Sequence, residues 1–135
     1  MPTQQTPKIV QLDFGPLPVD LINRTTGLEL EAGNTFFSIN AQKHAAKRHP
    51  LEYSKALPHV AAVIADPMYL GDDFKNHGKI ELVARVAALG NALLVAVEVT
   101  KDDNGRYTVT SFYPISQKKI DNRREKGRLL IVKKH

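Results

Sequence analysis

Apolar and polar residues alternate through three successive stretches in the C-terminal half of the chain, the period expected of half-buried strands. In the first, Ile80, Leu82, Ala84 and Val86 share a face opposite Glu81 and Arg85. In the second, Leu93, Val95, Val97 and Val99 face one way. In the third, over residues 106–113, Tyr107 and Val109 oppose Thr108 and Thr110. Gly90-Asn91 and Asp103-Asn104-Gly105 separate these stretches and have hairpin composition, Asn-Gly being the stronger signal. Residues 129–132 supply a candidate final edge strand.

The N-terminal half is more broken. Residues 8–14 alternate as a strand that Gly15-Pro16 and Pro18 end. Residues 21–23, 28–31 and 35–39 read as short strands between Gly-containing turns. A helix then starts at a Ser38 or Asn40 cap, runs to about Arg48 and is stopped by Pro50. A second has Pro58 in its first turn and a stripe of Leu57, Val60, Val63 and Ile64, and ends at Asp66-Pro67. Residues 71–78 form a charged loop. The segment 118–126 is helical or irregular, with Gly127 as its stop. The pattern predicts an α+β fold: two helices in the N-terminal half, then an antiparallel β-meander.

Length and charge narrow this picture. At 135 residues the chain is a single domain with enough material for a core. Residues 1–7 are polar and bounded by prolines, so disorder is expected there, and they lack the charged start and apolar stretch of a signal peptide. No apolar run approaches the roughly 18 residues of a membrane span. There is no cysteine, which excludes disulfides and thiolate metal sites and fits a cytoplasmic setting. The formal net charge is +5. Residues 118–135 carry eight Lys or Arg against Asp121 and Glu125, a net of +6, and the rest carries −1. All the excess lies at one end, where it attracts polyanions, or else serves solubility.

Two places concentrate chemistry. On the first predicted helix, His44, Lys47, Arg48 and His49 fall within six residues. Imidazole beside fixed positive charge suits acid–base work on a phosphodiester. His44 and Lys47 share a face with Asn40, whereas His49 lies about 140° from His44 if the helix continues through both. That spacing argues against a zinc pair. The bland alternative is a solvated face with a histidine near the helix C-terminus. The third strand supplies the hydroxyls of Thr110, Ser111 and Tyr113, which bind phosphate without adding charge. Lys118, Lys119, Arg123, Arg124 and Arg128 are candidate phosphate contacts. His59, His77 and His135 are less promising. Asp72-Asp73 has no partner carboxylate at a usable spacing, so no metal and no cofactor is expected.

Taken in order, the helix His44-Ala45-Ala46-Lys47-Arg48-His49-Pro50, the run Val63-Ile64-Ala65-Asp66-Pro67, the three-strand meander and Val109-Thr110-Ser111-Phe112-Tyr113-Pro114 resemble the barnase–EndoU–colicin–RelE-like ribonuclease superfamily. The resemblance covers about residues 34–132 and is nearest to the phage and mobile-element branch. It implies metal-independent RNA cleavage on a sheet that cradles the substrate. Carried onto this chain, the helix histidine is His44 or His49, the strand hydroxyl Thr110 or Ser111, and the distal cation Lys118 or Arg128. It also implies RNA as a partner, with a cognate inhibitor or a larger polyvalent protein as further partners. Members differ widely in active-site composition. A noncatalytic nucleic-acid-binding module of a mobile element is therefore the second reading.

Overall fold

The computed structural model describes residues 10–48, 50–72 and 78–134. Seven strands form one sheet in the order β1-β2-β6-β5-β4-β3-β7. They are β1 (Leu12–Pro16), β2 (Asn34–Phe37), β3 (Tyr69–Asp72), β4 (Lys79–Val86), β5 (Asn91–Glu98), β6 (Tyr107–Ile115) and β7 (Leu129–Ile131). The helices are α1 (Val19–Thr26), α2 (Ile39–Arg48), α3 (Pro50–Ala56), α4 (Val60–Ala65) and α5 (Gln117–Glu125), with a short 3-10 turn at Leu57–His59. The α+β class and the β4–β5–β6 meander are as the alternation predicts.

The meander is the centre of the sheet, and both of its faces are covered. On one face, Ile80, Leu82, Leu93, Val95, Val97 and Val109 meet Val60, Val63 and Ile64 of α4. On the other, Val83, Leu94 and Ile115 meet Ile120 of α5 and Leu129. Each fully buried aliphatic side chain contributes about 1.5–3 kcal/mol by leaving water. Hence residues 92–97 of β5 are buried without interruption, as a strand covered on both faces must be.

Three expectations fail in the N-terminal half. Residues 21–23 are helical, inside α1. Its one-sided burial of Ile22 and Thr25 outweighs the strand preference of its Val, Ile and Thr residues. Gly27, at φ 82°, closes it by donating its N–H to the Asn23 carbonyl. Residues 28–31 form no strand; Asn23 instead bonds both backbone groups of Leu30, at 2.9 and 3.0 Å. Gly15-Pro16 does not end β1 but lies within it, at a register shift between Asp13 and Gly15. The expectations for residues 1–7 and for most of the 71–78 loop lie outside the described residues.

Pro50 does not stop the helical region but opens α3. Its ring fixes a helical φ, and it lacks only an N–H that a first turn leaves unpaired anyway. The consequence is an extra helix packed on β6. Tyr53 stacks on Phe112 with centroids 5.7 Å apart, and Phe37 stands 5.4 Å from Phe112.

A candidate active-site groove along the free half of β6

β6 pairs with β2 over its first two residues and with β5 from Val109 onward. β2 runs parallel to it over the pairs Thr35↔Tyr107 and Phe36↔Thr108. Then β2 ends, because Ser38 caps α2, its Oγ accepting the Ala41 N–H at 3.1 Å. Among the described residues, no strand pairs with β6 on that side from Val109 onward. Pro114 fits such an edge, since proline has no N–H to offer a neighbouring strand. α2 and α3 stand across the opening, and the space between is a groove of about 490 Å³.

A β-bulge decides which β6 side chains enter it. Val109 pairs with Val97 and Ser111 with Ala96, so Thr110 is an extra residue. Its Oγ1 donates to the Ala96 carbonyl at 3.3 Å. The extra residue inverts the alternation that follows. Phe112, rather than Ser111, then falls on the face of the main core and meets Tyr53. Ser111 and Tyr113 remain exposed on the groove. The simple alternation of the sequence places Ser111 on the face of Val109, and the bulge moves it.

On α2 the groove side is Ala41, His44, Ala45 and Arg48, an arc of about 100°. Gln42, behind this arc, is buried, and its Nε2 donates to the carbonyls of Val10 at 2.7 Å and Phe37 at 3.2 Å. That anchor sets the rotation of the helix. Lys47 and Asn40 therefore lie on the other side of His44 and do not line the groove. The cation that shares the groove with His44 is Arg48, one turn later. His49 lies outside the described residues.

α5 adds a further cation. Lys119 lines the groove, its backbone N–H held by the Ser116 Oγ at 3.3 Å. The other basic candidates do not line it. Lys118 is exposed beside it in sequence. Arg123 pairs with Glu81 at 2.9 Å; burial opposes its charge, but Glu81 and a hydrogen bond to Tyr113 hold it more firmly protonated than usual. Arg124 lies over the Tyr69 ring at 5.5 Å. Arg128 borders a separate cleft with Thr26, Leu28 and Gly71. A second open groove, of about 620 Å³, lies between α5 and β7, and neither a histidine nor a hydroxyl residue lines it.

From the described residues the groove thus gathers one imidazole, two cations and the hydroxyl groups of Thr110, Ser111, Tyr113 and Tyr53. The side chains of His44, Arg48 and Lys119 make no hydrogen bond or ion pair to another described residue, so they are available to a ligand. Burial pushes the Tyr53 phenol above its ordinary pKa, so it stays protonated as a donor. Glu52 is the one carboxylate of the lining. The sequence pattern does not single out Glu52 and Tyr53, because it does not predict α3, the helix that carries them. The signal that could have found them is Pro50 as a helix-opening residue, with Tyr53, Ala56 and Val60 at helical spacing behind it. Among the described residues no group of three or more metal-ligating side chains gathers, and no helix is long and apolar enough to cross a membrane.

The model of a family described as phage-Barnase-EndoU-ColicinE5/D-RelE like nuclease3 matches residues 15–122. No curated protein and no solved structure matches the chain.

Proposed function

The chain belongs to this family of phage Barnase-EndoU-ColicinE5/D-RelE like nucleases, and from that premise we propose that it is a metal-independent endoribonuclease. The observation that supports the reading is the groove itself. The bulge at Thr110, the Gln42 anchor of α2 and the Ser116 cap of α5 bring hydroxyls, an imidazole and two cations to one strand edge that no described strand pairs.

In the proposed reaction a base removes the proton of a ribose 2′-OH. The oxygen attacks the adjacent phosphorus, and an acid gives a proton to the departing 5′-oxygen. The products are a 2′,3′-cyclic phosphate and a 5′-hydroxyl. His44 carries one of the two proton transfers. Arg48 and Lys119 bind the non-bridging oxygens and stabilise the charge that accumulates on phosphorus. Ser111 donates a hydrogen bond to the same oxygens, and the Thr110 hydroxyl joins it by turning away from the Ala96 carbonyl. The second proton transfer falls to His49 or to Glu52, which single substitutions separate. DNA lacks the nucleophile and stays intact.

The test is incubation with total tRNA in excess EDTA, followed by analysis of the new ends. Cyclic phosphate ends are expected. Cleavage that required added magnesium or zinc would refute the acid–base reading. The second reading, a noncatalytic RNA-binding module, draws on the lack, among the described residues, of a partner that fixes the His44 ring. Tight RNA binding with no cleavage, unchanged in His44→Ala, would select it.

A further inference from the structure

Three polar side chains meet between α5 and the sheet. Val83 on β4, Leu94 on β5 and Tyr113 on β6 stand opposite one another, and cross-strand partners share a face. Val83 and Leu94 pack with Ile120 of α5, so Tyr113 lies on the α5 side. Glu81, two residues before Val83, lies on that side as well. Arg123 follows Ile120 by three residues, which sets both on one side of α5.

These three side chains are joined. Arg123 donates to Glu81 Oε1 at 2.9 Å, and its guanidinium also donates to the Tyr113 hydroxyl. The planar fork has donors enough for both partners at once. The Glu81 side chain is only 14% exposed and that of Arg123 31%. A pair this far out of water returns little net stability, because desolvation offsets the attraction. What it does fix is direction. The carboxylate holds the guanidinium in one place, and the guanidinium occupies a lone pair of the phenol.

Arg123 does not line the groove, whereas Tyr113 does and is 37% exposed. A phenol carries one hydrogen and accepts through its oxygen. With a cation on that oxygen, the Tyr113 hydrogen turns away from Arg123 and is left for a ligand in the groove. Ser111 stands two residues earlier on the same strand face, and Lys119 lines the groove from α5. All three offer N–H or O–H donors to a phosphate there.

We propose that Tyr113 donates its hydrogen to the phosphodiester bound in the groove, and that Arg123 and Glu81 are positioning residues that act only through it. This role rests on the groove's being the place of RNA cleavage, and adds a phosphate contact held from behind the strand. The charges of Arg123 and Glu81 cancel, so they aim the donor without changing the net charge that RNA meets.

The test compares four full-length proteins: unmodified, Tyr113→Phe, Glu81→Gln with Arg123→Gln, and all three substitutions together. Tyr113→Phe keeps the ring and removes the hydroxyl. Changing Glu81 and Arg123 together strands no half-buried charge and keeps the net charge. kcat/KM for tRNA is expected to fall about tenfold or more in Tyr113→Phe and in the paired variant. The triple variant is expected to be no slower than Tyr113→Phe, because the pair then has no hydroxyl to act through. Losses that multiply in the triple variant would make the pair a support of the fold and overturn the proposal. Tyr113→Phe cleaving at the unmodified rate would overturn it too. A second measurement needs no cleavage: inorganic phosphate is added while the Tyr113 ring signals are followed by NMR. They are expected to shift in the unmodified protein and much less in the paired variant. No shift in the unmodified protein, a result that needs no variant to fold, or equal shifts in both would also refute the role. If the unmodified protein leaves tRNA intact, the ribonuclease reading fails, and the phosphate titration alone decides what Tyr113 does.

Discussion

The two halves of β6 are one strand under opposite constraints. From Tyr107 to Val109 it passes from pairing with β2 to pairing with β5, with Tyr107 and Val109 fully buried. From Thr110 to Pro114 one side is open, and three of the five residues that line the groove there, Thr110, Ser111 and Tyr113, carry hydroxyls. The first half is determined by what it packs against. The second is determined by the early end of β2, a feature with no counterpart in the sequence of β6 itself. A functional edge here arises from a neighbour that stops, so the strand that carries the chemistry also carries part of the core.

The largest effect should separate the halves by stability. Tyr107→Ala removes a side chain that is 1% exposed and whose hydroxyl donates to the Glu31 carbonyl. A loss of about 3–5 kcal/mol is expected, read as a lower urea midpoint. Ser111→Ala, four residues later and exposed, should leave that midpoint unchanged within about 0.5 kcal/mol. Similar losses at both positions would break the comparison.

The next effect is on chemistry alone. His44→Ala should lower tRNA cleavage about 100-fold or more, the usual contribution of a positioned acid or base. Its unfolding midpoint should not move, because the ring is exposed and bonds no described residue. Lys47→Ala, on the other side of the helix, should cost much less. Equal losses would mean that α2 presents Lys47 to the substrate as fully as His44.

How much of this was legible depends on the kind of signal. Strands β4 to β6 were legible because each has one or two buried faces, and burial writes a period into the sequence. α2 was legible from its start, with Ser38 or Asn40 as the cap, and α5 only in part, as a segment helical or irregular up to Gly127. α1 was not, since Val, Ile and Thr favour strands and only tertiary burial of Ile22 and Thr25 holds them helical. α3 was hidden because Pro50 serves equally well to stop one helix or to start another. The candidate site was legible in its residue types and only partly in its membership. Lys47, on the face of His44, stood ahead of Arg48 until Gln42 fixed the rotation of α2. Thr110, Ser111 and Tyr113 drew notice as hydroxyls, but no pattern announced the bulge that aims them.

A smaller effect concerns the basic segment, which dominates the charge of the sequence and contributes one described side chain, Lys119, to the groove. Changing Lys118, Arg124, Lys126 and Arg128 to Gln removes four charges and spares both Lys119 and the Arg123–Glu81 pair. RNA affinity should fall and its salt dependence should flatten, by about 0.7 in log–log slope for each single-strand phosphate that is no longer neutralised. Cleavage at saturating RNA should be nearly unchanged. A drop in the saturated rate would extend the site from the open half of β6 onto α5.

The smallest effect lies at the closed half of β6, where Asp102 ties the turn that leads into the strand. Its Oδ1 accepts the N–H groups of Arg106 at 2.8 Å and Asn104 at 3.0 Å, and its Oδ2 pairs with the Arg106 guanidinium at 3.0 Å. The Arg106 backbone bond holds the Asp102 carboxyl below the usual range against the opposing effect of burial, and the side-chain pair and the Asn104 N–H add lesser contributions. A lowered folded-state pKa means that the folded chain releases this proton more readily than the unfolded one. The stabilisation is therefore complete above the unfolded value of about 3.9 and disappears as pH falls through the lower folded value. Asp102→Asn keeps the size of the side chain and removes its charge. The difference in unfolding midpoint between the two proteins should be constant from about pH 5 to 7 and shrink below about pH 4. Tyr107 should remain buried in both, and the groove at the far end of β6 should cleave RNA equally well. A gap that widened as pH fell would have the wrong sign for a carboxylate held ionised, and would detach the turn from the stability of the closed half.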